Sequence, residues 1–220
     1  MDRVRRLLNV KKAGHGGTLD PDATGVLLVC LGDATKLFEA LQVGTKEYEG
    51  VLTLGATTDT LDASGQILKT ADTIYTTPDQ VRSVFQQFVG EIEQTPPMFS
   101  AVKYEGKRLH KLARQGIEVE RRSRKVFIES LHVLSINVPE VRFRVVCSKG
   151  TYIRVLAADI GAILGCGAHL SQLTRTRSGV FKIEDSYPLD SLERNPESAY
   201  QAVTSTEVVI DILNRQLALT

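Results

Sequence analysis

Between Ala13 and Leu27 the chain reads AGHGGTLDPDATGVL. Within it, His15 and Asp20 are of the types that do acid–base or covalent chemistry. Asp20 is followed by Pro21, whose ring fixes the backbone and removes a donor. Gly14, Gly16 and Gly17 precede it and let a loop come close to a ligand. A carboxylate presented in this way can act as nucleophile, general base or metal ligand. Asp, Pro and Gly are also the ordinary turn formers, so residue types alone leave a plain turn equally open.

Residues 20–24 also fit DxDxT, the aspartyl-nucleophile signature of haloacid-dehalogenase-like phosphatases. That chemistry wants an apolar strand directly before the first Asp, and here the apolar run, VLLVCL, comes after it. The stretch is not a phosphate-cradling P-loop, since no Gly-Lys-Ser/Thr closes it. Cys166 and His169 could seed a metal site, but no other paired ligands accompany them, so no metal is expected.

The elements around these residues follow from periodicity. Val4, Leu7 and Leu8 put a helix end before the glycine loop. Residues 26–31 form a continuous apolar run that predicts a buried strand, and Asp33 then caps a helix through Leu41. In KEYEGVLTL, Tyr48, Gly50, Leu52 and Leu54 share one face of a strand. GATTDTLDASG reads as a loop and QILKT as a short strand. Thr77-Pro78-Asp79-Gln80 is a capping signature, followed by Val81, Val84, Phe85 and Phe88 at helical spacing. The two prolines of QTPPMFS exclude helix there. Residues 142–147 alternate as a strand, residues 155–164 read as helix, and AHLSQLTRTRSGVF as strand. Strands and helices mix without a βαβ rhythm, which predicts an α+β fold with a mixed, largely antiparallel sheet and flanking helices.

The chain has 220 residues, enough for one large domain or two small ones. Its 42% hydrophobic and 24% charged residues are the mix of a soluble globular protein. No apolar run approaches the ~18 residues of a membrane span, and the basic start is not followed by the apolar stretch of a signal peptide. Three cysteines without a CxxC pair read as reduced thiols of the cytoplasm. The net charge of +1 conceals a segregated pattern. Residues 1–12 carry five basic and one acidic residue, residues 101–125 nine and three, and residues 184–220 two and seven. Such separation suggests a polyanion-binding face balanced by an acidic tail.

AGHGGTLDPDATGVL closely resembles the catalytic-Asp motif of the TruB family of tRNA pseudouridine-55 synthases. The resemblance continues in order through VCLGDATK, KEYEGVLTLGATTDTLDASG, GEIEQTPPMFSAVKYEGKRLHKLARQG, CSKGTYIR and LGCGAHLSQLTRTRSG. It implies the pseudouridine synthase catalytic domain over residues 1–190, with residues 191–220 as a C-terminal tail, expected to be helical. It also implies that the family's opening segment, a first strand, lies ahead of Met1, and that the tail is too short for the RNA-binding domain found in many bacterial members.

By the same resemblance, Asp20 is the nucleophile that attacks the target uridine, and Arg154 pairs with it. An Arg beside an Asp keeps it ionised and oriented. His15 helps the base leave its stack, Tyr48 stacks on the extruded base and assists proton removal, and Tyr152 and Leu173 line the pocket. The basic segment, with Lys103, Tyr104, Lys107, Arg108, Lys111 and Arg114, follows the phosphates of the tRNA T-arm stem-loop. His110 stands where the family more often has Tyr. The implied partner is tRNA alone. No cofactor, metal, membrane or obligatory protein partner is expected, and the chain is expected to be a monomer. An idle RNA-binding module with the same surface is the competing function.

Overall fold

A computed structural model describes residues 1–217, with side chains through Arg215. The chain divides into two compact units: residues 47–174, and residues 1–46 together with the chain from Arg175 onward.

In the unit of residues 47–174, the sheet runs in the order Ala168–Ser178, Lys46–Leu54, Glu140–Cys147, Arg124–Asn137, Gly90–Gln94. Arg124–Asn137 pairs antiparallel with both of its neighbours, so that Val133 faces Phe143 and Val126 faces Ile92. Alternation fixes which face is inward: Val141, Phe143, Val145 and Cys147 are all buried. Two helices cover that face, Pro78–Gln86 and Ile153–Leu164. The first begins as its sequence dictates. Thr77 Oγ1 accepts from Gln80 N, and the Gln80 side chain accepts from Thr77 N at 2.8 Å, which completes the capping box. Val81, Val84, Phe85 and Phe88 then reach the core, where Phe85 meets Phe143 edge-on at 6.0 Å. The second helix starts two residues earlier than the periodicity predicts, at Ile153.

Asp159 lies on this second helix, and burial alone raises its carboxyl pKa above the usual range. The charged form is therefore favoured by the unfolded chain. Asp159 costs stability at neutral pH, and that cost fades as pH falls through its raised folded value toward the ordinary carboxylate value. Asp159→Asn is expected to raise the melting temperature at pH 7–8 by about 2–4 °C per kcal/mol of cost removed. The gain should shrink on acidification, and thermal melts of both proteins at pH 4 and pH 8 check this.

In the other unit, several elements depart from expectation. Ala13–Gly16, expected as loop, is a strand paired antiparallel with Leu28–Leu31, so that His15 faces Val29. Gly14 is there for packing: a Cβ on it would lie 2.5 Å from the Phe38 ring. The apolar run 26–31 is only partly buried strand, since residues 26–27 lie outside the strand and Leu27 is exposed. The helix expected from Asp33 is a 3-10 turn, Gly32–Leu37, followed by one α-turn, Phe38–Leu41. Asp33 pairs with Lys36 instead of capping a backbone amide, and Thr35 Oγ1 donates back to Gly32 O at 2.9 Å.

The chain from residue 189 is helical: Leu189–Arg194, Pro196–Gln201 and Thr206–Leu217. Arg3 of the first helix, Asp2–Leu7, forks onto it, with Nη2 2.5 Å from Asp190 Oδ1 and Nε 2.8 Å from Glu193 Oε1. The Arg3 guanidinium holds the Glu193 carboxyl below its usual range. Part of the charge segregation in the sequence is thus an internal pairing.

Candidate functional site

Asp20 sits at the first position of a tight turn, where its carbonyl accepts from Ala23 N at 3.0 Å and Pro21 occupies the next position. Its side chain is half-buried. The turn joins the strand Ala13–Gly16 to the two-residue strand Thr24–Gly25, which pairs with Ala168–Ser178. Gly25 has φ +101°, and a Cβ there would lie 2.2 Å from Arg175 O, so only glycine permits this approach. His15 is exposed on its strand, with Nδ1 3.3 Å from Gly17 O.

The unit of residues 47–174 contains Tyr48, Tyr152, Arg154 and Leu173. Tyr48 is buried in its strand, and Leu173 packs against the same apolar cluster. Tyr152 is the cap residue of the helix Ile153–Leu164. Its ring lies 4.8 Å from the Arg124 guanidinium and 6.0 Å from that of Arg154, both within cation–π range. Arg124 Nη2 donates to Gly150 O, which fixes it over the ring.

Arg154, 4% exposed, enters the helix at its second position and donates through Nη2 to Phe99 O at 2.8 Å and through Nη1 to Thr60 O at 3.3 Å. Asp62 Oδ2 lies 3.7 Å from Nη1. The other Asp62 oxygen is held by Thr60 Oγ1 at 2.6 Å, Ser64 Oγ at 2.6 Å and Ser64 N at 3.1 Å. A carboxylate saturated in this way has one oxygen left for the guanidinium.

Two of these residues escape a reading of the sequence by residue type. Asp62 lies in GATTDTLDASG, whose turn formers read as a loop; its start, Ala56–Thr58, is instead a strand paired with Ile67–Thr70, and Asp62 lies between the two, 3.7 Å from Arg154. Gln94 is buried and clamps the Tyr152 backbone, accepting from Tyr152 N at 3.0 Å and donating to Tyr152 O at 3.2 Å. The signal for Gln94 is only that an amide precedes two prolines.

The basic segment is a hairpin and a short helix. Lys103–Tyr104 pairs with Lys107–Arg108, and Glu105 and Gly106 both take positive φ at the two-residue turn. Leu109 and Leu112 anchor the helix Leu109–Ala113, leaving Lys103, Tyr104, Lys107, Arg108, Lys111 and Arg114 exposed. Beyond it, Arg121 pairs with Glu118 and Lys125 with Glu91, so those charges are spent within the chain.

Among the described residues no group of three or more His, Cys, Asp and Glu could hold a metal ion. Cys166 Sγ accepts from Thr76 Oγ1 at 3.8 Å, and His169 Nδ1 lies 3.1 Å from Ala56 O. All three cysteines are buried, and burial pushes the Cys30 thiol up. No described helix is long and apolar enough to cross a membrane.

The chain is 47% identical over 216 residues to tRNA pseudouridine synthase B of Aromatoleum aromaticum, covering 98% of this chain and 70% of that one. It is 51% identical over 191 residues to the protein of the same name from Geotalea uraniireducens, covering 87% and 62%. Among solved structures it is similar to a chain of a Cbf5-Nop10-Gar1 complex, with TM-score 0.66 and 39% identity over 86% of this chain and 47% of that one. It is also similar to a chain of an H/ACA RNP bound to a substrate RNA containing 2'-deoxyuridine, with TM-score 0.66 and 31% identity over 93% and 51%. The tRNA pseudouridylate synthase B C-terminal domain matches residues 154–212. The TruB family pseudouridylate synthase N-terminal domain matches residues 5–153, and the chain belongs to the TruB family.

Proposed function

We propose that this chain converts uridine to pseudouridine at position 55 in the T arm of tRNA, with Asp20 as the attacking carboxylate. One observation carries the reading: relatives named tRNA pseudouridine synthase B match 98% and 87% of the chain at 47% and 51% identity. The reaction is an isomerisation. The glycosidic C–N bond breaks, the uracil rotates, and a C–C bond forms to the same ribose. No atom enters or leaves beyond one proton exchanged on the base, so no co-reactant is needed. A carboxylate suffices because only a transient covalent or ion-paired intermediate must be held.

Each residue has a role in this reading. Arg154 keeps the nucleophile ionised. The target base must leave its stack to be reached, and His15 assists that step. Tyr48, Tyr152 and Leu173 receive the uracil, a flat ring on an aromatic wall being worth roughly 1–3 kcal/mol. Tyr48 also assists proton removal. Gln94 and Arg124 keep Tyr152 in place. Residues 1–190 form the catalytic domain in this reading and residues 191–220 its tail. The chain acts in the cytoplasm on tRNA as a monomer, without a protein partner.

The decisive experiment is a base-resolution pseudouridine assay on an unmodified tRNA transcript. Product at the T-arm uridine is expected; tight binding without product would mark an idle RNA-binding module. Neutralising Lys107, Arg108 and Lys111 together is expected to weaken tRNA binding and flatten its salt dependence. Each phosphate left without its cation lowers the log–log slope by somewhat less than about one unit. Titrations between 50 and 200 mM salt, on the order of the range where such slopes are resolved, measure it. An unchanged slope would put the RNA on another surface.

A further inference from the structure

We propose that Arg175 is a positioning residue for the nucleophile, its buried guanidinium clamping the segment 17–26 that carries Asp20. The inference rests on the reading of Asp20 as the attacking group. Arg175 is 2% exposed, and an arginine keeps its charge wherever it is placed.

One end of the segment is bonded to this residue, and the other lies near its guanidinium. At the far end, Val26 N donates to Arg175 O at 2.9 Å while Arg175 Nε donates to Val26 O at 2.8 Å, a reciprocal pair. At the near end, Arg175 Nη1 points to the neighbourhood of Gly17, where an added Cβ would stand 3.5 Å from it and φ is +90°. Between these ends the chain reverses at the Asp20–Ala23 turn. The guanidinium thus lies at the base of a loop whose tip holds the carboxylate.

Filling space does not account for the residue. Arg175 Nη2 is buried and has no hydrogen-bond partner. An unpaired buried donor is unfavourable and calls for an explanation. An apolar side chain of similar volume would fill the site without that cost. A rigid fork reaching from Val26 O toward Gly17 is what an apolar side chain lacks, and a nucleophile displaced by ~1 Å can lose about 100-fold in rate.

Stability and loop closure should respond in opposite directions to one substitution, Arg175→Met. The melting temperature should stay level or rise. The backbone amides of residues 18–26 should exchange with solvent at least tenfold faster, on the order of the clamp's contribution to closing the loop. The single-turnover rate of pseudouridine formation should fall about 100-fold, with the Kd for tRNA changed by less than about threefold, because phosphate contacts elsewhere set affinity. Arg175→Lys, which keeps the charge without the fork, should show the same loosening and no full recovery of rate, and it carries the test if the Met variant does not fold. The proposal is overturned by unchanged amide exchange, by a rate within tenfold of the parent, or by rate and melting temperature falling together as for a merely structural residue. A parent chain that forms no pseudouridine would instead sink the reading of Asp20, and the amide exchange would still decide whether Arg175 holds the segment.

Discussion

Asp20→Asn is expected to abolish pseudouridine formation while leaving tRNA affinity within a few fold. The amide is nearly isosteric with the carboxylate, and the turn is built from the Asp20 carbonyl, Pro21 and Ala23 N, none of which changes. The fold and the loop should therefore survive. What disappears is the anionic oxygen that attacks the sugar or base, and loss of a nucleophile elsewhere has cost on the order of 10⁶-fold in turnover. Single-turnover assays with mass-spectrometric proof that the Asn has not deamidated check the prediction. Product formed by the intact Asn protein would remove Asp20 from the nucleophile's role.

Arg154→Ala should be the most damaging change within the unit of residues 47–174. It strips donors from two carbonyls, Phe99 O and Thr60 O, and leaves Asp62 facing a void at the place of its cation. Breaking a buried charge pair costs roughly 3–5 kcal/mol. Both stability and turnover should fall, and chemical denaturation read beside the activity assay separates the two. Arg154→Lys should recover much of the stability but not the rate. A single ammonium can reach one of these acceptors, whereas the planar fork reaches the carbonyls and lies toward the Tyr152 ring together. Near-parental turnover in the Lys variant would contradict a role that depends on the fork.

Much of this protein is legible in its sequence because the signals are local. Thr77, Pro78 and Gln80 make a capping box from residues three apart, so the helix start needs no tertiary help. The alternation of residues 142–147 fixes which face of that strand is buried whatever it packs against. The order of the motifs identifies the family. Three other features are visible only in the structure, because each depends on residues distant in the chain or on a local choice that residue types leave open. AGHG reads as loop by composition and becomes strand because Leu28–Leu31 supplies the pairing groups. The helix expected after Asp33 tightened to 3-10 because Asp33 turned to Lys36 and Thr35 bonded back to Gly32. Asp62, Gln94 and Arg175 are ordinary polar letters in the sequence. Each gains its meaning from a partner 58 or more positions away: Arg154 for Asp62, the Tyr152 backbone for Gln94, and Val26 for Arg175. A buried polar side chain is tolerated only where its hydrogen bonds are met, and which partners meet them is settled when distant strands pair.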